Sequence, residues 1–427
     1  MAAHFRRIAD FLKQAFADLS PEDAGRLAPR HTPSPPRIPG GSVIDDTAVG
    51  QRWALPALPP AARDTLVDPW TREHQGAYTR NIENFIGTAK IPVGLAGPLR
   101  VNGAHASGDF YVPLATTEAA LVASYSRGAQ LVTEAGGCAA AVVNEGVTRA
   151  PAFAFATLAE ASLFVAWATR NFDAFGSAAR ATTRHGALVD LQLVVEGNNV
   201  HMGLEFTTGD ASGQNMATIA TEAVCQHIVE HTPVKPRYWF VEGNMSGDKK
   251  ATAQSFMGVR GKKVSAEIVI PAALIESRLH TTAQAMADYA RMSVLGGVMS
   301  GSIGVQGHFA NGLAALFIAC GQDAACVAEA AVGVTRLEAR DDGSLYTAVT
   351  LPNLIVGTVG GGTSLPSQRA CLEILGLAGA GHARAFAEVA AALLLAGELS
   401  IIGALTAGHF TRAHQRLARG PSSTPTA

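Results

Sequence analysis

"LVDLQLVVEGNNVHMGLEF", residues 188–206, decides how the middle of this chain folds. Two strand-like runs flank Gly197-Asn198-Asn199, and glycine and asparagine tolerate the left-handed backbone of a tight hairpin. The stretch predicts two paired strands. "NMATIATEAVCQHIVEH", residues 215–231, follows as a predicted helix, and "RYWFVEG", residues 237–243, as a predicted strand. Residues 150–241 therefore predict a small α+β unit with its own core. No G-x-G-x-x-G occurs in the chain, so an ordinary Rossmann dinucleotide site has no support.

Outward from this block the patterns change. Phe5, Ile8, Leu12, Phe16 and Leu19 recur at spacings of three and four, as on an amphipathic helix. Residues 28–60 are proline-rich and predict an irregular linker, and residues 81–110 predict a loop-rich stretch. Thr116 and Thr117 can cap a helix whose first turn contains Glu118. From about 264 onward the pattern predicts mainly helices broken by glycine-rich turns, ending in a long Ala/Leu helix over 382–409. No internal repeat is visible.

The 427 residues allow one large domain or two to three ordinary ones. Apolar residues make up 48% and charged residues only 16%, with 44 glycines, which suggests tight packing and surface buried in an oligomer. A formal net charge of -2 provides no global field to recruit nucleic acid or an anionic membrane. Five widely spaced cysteines without a C-x-x-C favour a reduced, cytoplasmic setting over a disulfide framework or a zinc site. The N-terminus lacks the continuous apolar core of a secretory signal. The most apolar stretch contains Glu398 and His409, which argues against a membrane span.

Several residues stand out chemically. In "EGNMSGDKKA", residues 242–251, Asp248 precedes Lys249 and Lys250. Adjacent lysines repel unless an acid or an anionic ligand answers them, so they are either a solvated surface pair or part of a site. Glu118 lies among apolar and small residues, and a plain surface carboxylate is about as good a reading as a site residue. Asp323 is embedded in "LFIACGQDAACV". A buried acid is costly unless paired, so a cation should accompany it. His414 follows the long helix; a lone histidine near a terminus is usually inert. Glycine-rich loops at 209–216, 296–308 and 357–364 could form anion-binding concavities, but tight packing turns are commoner.

The segments "ENFIGTAKIPVGLAGPL", "PLATTEAALVAS", "TTGDASGQNM", "EGNMSGDKK", "FIACGQDAA", "GTVGGGTS" and "GELSIIGALTAGHFTRAH" occur in this order. Together they resemble the 3-hydroxy-3-methylglutaryl-CoA (HMG-CoA) reductases, specifically the catalytic portion of their class I branch without its membrane anchor. The resemblance covers about residues 75 to 416. It implies NADPH-dependent, four-electron reduction of HMG-CoA to mevalonate and free CoA. It implies Lys249 as stabiliser of the carbonyl oxyanion, Glu118 as proton donor, Asp323 as the acid bridging them, and His414 as the group that protonates the CoA thiolate. For NADPH it implies Asp210, Gly213, Asn215 and Met216, with Ser212 and Gln214 replacing methionines of the family's loop, and Gly360, Gly361 and Gly362. Thr183 and Arg184 stand where NADPH-specific members have a Ser-Arg pair, and a guanidinium beside a hydroxyl suits a 2′-phosphate. For the acyl-CoA substrate it implies Glu83, Arg127, Arg149, Asp248, Lys250, His308 and Asn311.

By the same resemblance the chain is an α+β protein with a large, mainly helical domain and an inserted, ferredoxin-like NADP-binding domain. The expected divisions are a helical N-terminal and linker segment for oligomerisation over 1–74, a catalytic, CoA-binding domain over 75–149 and 242–427, and the insert over 150–241. A homodimer or dimer of dimers is expected, with its site at the subunit interface. Some positions depart from the family. Glu242 replaces a serine, Met292 a lysine that pairs with the substrate carboxylate, and Ser126 an asparagine, and the loop before His308 is one residue shorter. An added acid and a lost cation weaken binding of a free carboxylate, although Arg291 could compensate. These departures leave two alternatives open: a reductase of another acyl thioester, and a catalytically silent binding or regulatory homologue. The complete set of Glu118, Lys249, Asp323 and His414 argues against the second.

Overall fold

The computed structural model describes residues 28–29, 31–56 and 58–408. The predicted amphipathic helix over 5–19 and His414 lie outside the described residues. The chain forms two compact units, Met1–Thr88 and Ala89–Ala427.

In the first unit the proline-rich stretch does not continue as an irregular linker. Helices α1 (Asp46–Trp53), α2 (Pro60–Leu66) and α3 (Pro69–Glu73) form within and after it. Asp45 caps α1 by accepting the Ala48 N–H at 2.7 Å, and prolines occupy the first turns of α2 and α3, where a missing N–H costs nothing. Arg52 is buried and donates to the carbonyls of Pro39, Gly41, Val43 and Phe85. One guanidinium thus satisfies a segment that has no ladder of its own.

The second unit is α+β. Its chain runs β1 (Val93–Gly103), β2 (Ser107–Ala115), α4 (Leu121–Glu134), β3 (Cys138–Arg149), β4 (Ala152–Ala154), α5 (Leu158–Ala168) and α6 (Phe172–Arg180). It continues β5 (Leu188–Glu196), β6 (Asn199–Phe206), α7 (Gln214–His231), β7 (Tyr238–Phe240), β8 (Gly261–Ile270), α8 (Ala283–Ser300) and α9 (Phe309–Ala319). It ends β9 (Val334–Ala339), β10 (Leu345–Leu354), α10 (Pro366–Ile374) and α11 (Ala383–Thr406). The sheet order is β7-β4-β6-β3-β8-β10-β9, with β1 on β2 and β3, and β5 on β6.

The opening hairpin forms as the sequence predicts. Glu196 pairs with Asn199 across a two-residue turn, and Gly197 takes φ 54. With the elements around it, β4-α5-α6-β5-β6-α7-β7, it makes an antiparallel sheet in the order β7-β4-β6-β5. That order, with helices between the first two and last two strands, is the ferredoxin-like split βαβ arrangement. Its core is separate: Phe153, Phe155, Phe164, Phe175 and Phe206 pack with Met202, Val224 and Ile228.

Two sequence expectations are corrected here. The stretch over 81–110 is not all loop: β1 starts at Val93 and pairs antiparallel with β2. Its Gly97-Pro98 reads as a breaker, but the ladder absorbs it in a register shift between Ala96 and Leu99. Beyond 264 the chain is not only helical, because β8, β9 and β10 form three adjacent antiparallel strands. The turn between β9 and β10 closes at Gly343, φ 80, whose N–H donates to the Arg340 carbonyl at 3.0 Å.

The larger core surrounds α11. From Ala383 to Ala404 every residue except Arg384 and Ile401 is buried. A helix that is apolar on all sides belongs in the interior. α11 is the one described helix long and apolar enough to cross a membrane, and it lies mostly within the fold. Its two buried acids are occupied by backbone donors: Glu388 by His105 and Ala106, Glu398 by Gly307 and His308. α4 crosses α11 so closely that a Cβ on Gly128 would run into the Ala396 carbonyl. Gly128→Ala is therefore expected to destabilise the protein by about 1–3 kcal/mol through overpacking against backbone, read as a lower midpoint in chemical denaturation.

Candidate active site

The loop carrying Lys249 is built from left-handed residues. Asn244, Gly247 and Lys249 have φ of 63, 74 and 56. The Ser246 hydroxyl accepts the Asp248 N–H at 3.2 Å, and the Lys250 N–H donates to the Gly247 carbonyl at 3.1 Å. This turn sends the two lysines in different directions. The Lys249 ammonium pairs with Asp323 at 2.8 Å, whereas the Lys250 ammonium returns to the Asp248 carbonyl at 2.9 Å. The hydrogen bond that its ammonium donates to Asp323 holds the Lys249 pKa above its ordinary value.

Asp323 follows α9. The Gln322 N–H donates to the Phe317 carbonyl and so fixes the exit from the helix, and Asp323 caps the next turn through the Ala325 N–H at 3.0 Å. The sequence suggested a buried acid. Asp323 is instead 41% exposed, and its lysine 42%, so water reaches the pair. The apolar neighbours that suggested burial face the core from α9, while the turn at 320–323 brings the acid outward.

Behind the loop lies a buried charge network. Asp248 accepts from Arg149 at 2.6 Å and also from Arg260. Arg260 is 2% exposed and donates to Glu329 at 2.7 Å and to the Thr148 carbonyl at 2.7 Å. Glu329, fully buried, accepts the Lys249 backbone N–H at 3.2 Å. Burial raises the carboxyl pKa of both acids. At Asp248 the two guanidiniums outweigh that and the net shift is downward; at Glu329 burial prevails and the pKa is raised. Glu242 joins at the edge, 3.6 Å from Arg149, with its Oε2 accepting the Ala150 N–H at 3.3 Å. Its other oxygen is buried without a hydrogen-bond partner among the described residues.

Two glycine loops meet beside Lys249 and Asp323. Thr358 donates its N–H to the Asp210 carbonyl at 2.8 Å, and Gly357 packs so tightly on 210–212 that a Cβ would clash. Gln322 bonds both backbone groups of Gly357 at 2.9 Å. Gln214, the first residue of α7 after left-handed Gly213, reaches Cys326 at 3.1 Å. Gly360 and Gly361 have positive φ and open space where side chains would stand. Asn215 is exposed and Met216 half-buried in the first turn of α7, and Gly362 backs onto Gly321. The Asp210 carboxylate accepts the Gly381 and Ala383 N–H groups at 2.7 and 3.2 Å, so it caps the start of α11. Thr183 accepts the His185 N–H at 3.1 Å, and Arg184 is exposed beside it.

Glu118 sits elsewhere. α4 begins at Leu121, not at 117, because left-handed Ala120 precedes it and Thr116 uses its hydroxyl on the Glu118 N–H at 3.0 Å. Glu118 is thus an exposed loop residue, and its carboxylate accepts from Asn311 at 2.8 Å. Asn311 lies in the first turn of α9 and Asp323 lies beyond its last. Eleven residues of helix, about 16 Å, separate the ends. The expected bridge from Asp323 to Glu118 is not made within one chain: Asp323 meets Lys249, and Glu118 meets Asn311.

The remaining predicted residues are held by the scaffold. His308 donates its Nε2–H to the Gly397 carbonyl, 2.9 Å away, and burial lowers its pKa to about 4, so it is neutral at pH 7. A neutral ring is then the donor to that carbonyl. Arg127 bonds the Ser400 hydroxyl and carbonyl, and Arg149 also donates to Thr218. Glu83 is exposed in the first unit. Sequence reasoning missed Arg260 and Glu329. Glu329 lies in "CVAEAAVG", an acid among small and apolar residues, the same signal that singled out Asp323. Among the described residues no cluster of metal-ligating side chains occurs.

The family model for hydroxymethylglutaryl-coenzyme A reductase matches residues 57–419. A 3-hydroxy-3-methylglutaryl-coenzyme A reductase of Pyrococcus horikoshii is 45% identical over 347 residues, covering 80% of this chain and 84% of the relative. One of Halobacterium salinarum is 41% identical over 407 residues, covering 93% of this chain and 100% of the relative. Among solved structures, a class II 3-hydroxy-3-methylglutaryl-CoA reductase of Streptococcus pneumoniae bound to NADPH superposes with a TM-score of 0.63 at 20% identity, covering 84% and 96% of the two chains. At that identity the likeness concerns the fold. With its model matched over most of the chain, and relatives above 40% identity along nearly their whole length, the protein belongs to the hydroxymethylglutaryl-coenzyme A reductase family.

Proposed function

We propose that this protein reduces HMG-CoA to mevalonate. One thioester, two NADPH and two protons give one primary alcohol, free coenzyme A and two NADP+. The observation that carries this is the Lys249–Asp323 ion pair, 2.8 Å, set beside a glycine loop open at Gly360 and Gly361 in a chain of this family.

NADPH, when bound, supplies the hydride in each of two steps. The glycine loops suit its phosphates, because Gly360 and Gly361 leave open space where side chains would stand and the 18-residue α7 starts just after left-handed Gly213. In this assignment Asp210, Gly213, Asn215, Met216, Gly360, Gly361 and Gly362 line that cradle, and half-buried Thr183 and exposed Arg184 take the 2′-phosphate.

Each hydride addition places negative charge on the acyl oxygen. Lys249 answers it, with its ammonium kept charged and oriented by Asp323. Glu118 supplies the proton that converts alkoxide to alcohol. His414 protonates the departing coenzyme A thiolate, so that it does not re-attack the aldehyde. Arg149, Asp248, Lys250, His308 and Asn311 hold the acyl part, and Glu83 and Arg127 the coenzyme A part. Residues 150–241 serve as the NADP-binding domain, 75–149 with 242–427 as the catalytic domain, and 1–74 as an oligomerisation segment. Five unpaired, buried cysteines suit a reducing, cytoplasmic setting.

The two half-sites at opposite ends of α9 favour a site completed between subunits. The Lys249 and Asp323 of one chain would then meet the Glu118 and Asn311 of a second, in a homodimer or dimer of dimers. Mixing inactive Lys249→Met with inactive Glu118→Gln protein is expected to restore activity, since a mixed dimer contains one intact site. No recovery after verified subunit exchange contradicts a shared site. The overall assignment is tested by NADPH absorbance with a thioester panel. Oxidation with HMG-CoA is expected; oxidation only with acyl-CoAs lacking the distal carboxylate would overturn the substrate and implicate Glu242 and Met292.

A further inference from the structure

We propose that Arg260 and Glu329 are positioning residues, a buried clamp that fixes the peptide between Asp248 and Lys249 and thereby aims the Lys249 ammonium. This rests on Lys249 being the cation that meets the acyl oxygen.

Lys249 needs such a device. Its side chain is 42% exposed, so packing does not lock its rotamers. Its φ of 56 lies in the left-handed region, which is strained for a non-glycine residue. A strained, half-exposed residue keeps one geometry only where its surroundings impose it. Asp323 holds the tip of the side chain, but Asp323 lies on an exposed turn. The backbone is therefore the firmer anchor.

The clamp holds the Lys249 N–H directly and the neighbouring Asp248 through its side chain. Glu329 takes the Lys249 N–H at 3.2 Å with one carboxylate oxygen and Arg260 at 2.7 Å with the other. Arg260 reaches on to the Asp248 carboxylate. One Arg–Glu pair therefore holds both residues that share the 248–249 peptide. The pair is itself tied to the sheet. Arg260 immediately precedes β8, donates to the Thr148 carbonyl in β3 at 2.7 Å, and gives its own N–H to Asn353 of β10 at 3.0 Å. Asn353 in turn donates to Ser255 at 2.7 Å. Two carboxylates, Asp248 and Glu329, are held by two guanidiniums, Arg149 and Arg260, with Glu242 as a third carboxylate at the edge beside Arg149. A buried ion pair is seldom more stabilising than apolar packing of the same volume. Its gain here is geometric: three strands of the sheet define where one lysine points.

The test compares two buried carboxylates. Glu329→Gln alters the clamp. Glu388→Gln alters a buried carboxylate that accepts the His105 and Ala106 N–H groups at 2.8 Å, with no contact to the lysine loop. Each variant, with wild type, is measured for kcat with NADPH and HMG-CoA, for NADPH affinity by fluorescence titration, and for thermal midpoint. Both variants are expected to melt earlier. Only Glu329→Gln is expected to lose kcat, by about tenfold to a hundredfold, with NADPH affinity within about twofold of wild type. If Glu329→Gln does not fold, Glu329→Asp retains the charge beside Arg260 but withdraws it from the Lys249 amide, and a smaller loss of kcat is expected. A folded Glu329 variant with kcat within about twofold of wild type overturns the clamp. Wild-type protein that fails to oxidise NADPH with HMG-CoA overturns instead the role of Lys249 on which the clamp rests.

Discussion

Lys249→Met is expected to lower kcat for HMG-CoA reduction by about a thousandfold or more, while NADPH affinity stays within about twofold. Methionine keeps an unbranched side chain one atom shorter and removes its charge. The lost interaction is one that grows as the carbonyl oxygen becomes an oxyanion, so the loss falls on kcat and not on ground-state binding. The fold should tolerate the change, because the ammonium is 42% exposed and its partner Asp323 41%, leaving no buried charge unpaired. The backbone N–H that Glu329 accepts is also retained. Stopped-flow absorbance of the first hydride transfer and a parallel NADPH titration measure the two quantities. Turnover near the wild-type value would remove Lys249 from the mechanism.

Asp323→Asn is expected to lower kcat by about a hundredfold and to displace the alkaline limb of its pH profile. Asp323 is the leading cause that holds the Lys249 pKa above its ordinary value. The charged form is active, so activity persists as pH rises until that ammonium deprotonates. With Asn in place the ammonium loses its anionic partner, its pKa falls toward the ordinary value, and the alkaline limb moves to lower pH. The nearby Asp248 and the Cys326 thiol also face this lysine, with Asp248 already committed to Arg149 and Arg260. A kcat–pH profile from neutral to alkaline pH is the measurement. A lower plateau without any shift of the limb would mean that Asp323 acts on the proton supply and not through Lys249.

The same ion pair shows what was legible in the sequence. Two lysines after an aspartate, and an acid inside an apolar run, pointed to partners without saying which lysine met which acid. The left-handed turn at 247–249, which separates the two ammonium groups, depends on backbone geometry that spacing does not encode. The hairpin at 188–206 was legible because period-two runs and a Gly-Asn turn agree locally. β1 was not, because Gly97-Pro98 reads as a breaker and only its partner β2 reveals the bulge. β9 and β10 were hidden because they form one hairpin set among helices, and β10 completes its pairing on β8, about 75 residues earlier in the chain. Arg260 and Glu329 were hidden for a related reason: 69 residues separate them, and their pairing exists only once β8 and the turn after Asp323 are folded. The separation of Glu118 from Asp323 could not be read at all, since it follows from the length of α9 in three dimensions.

Product stoichiometry tests the central claim most directly. Purified protein, excess NADPH and limiting HMG-CoA are mixed, and NADPH absorbance, free thiol and mevalonate are followed together. Two NADPH oxidised for each thiol released and each mevalonate formed is the predicted result. Binding of NADPH with no oxidation in the presence of HMG-CoA would contradict it.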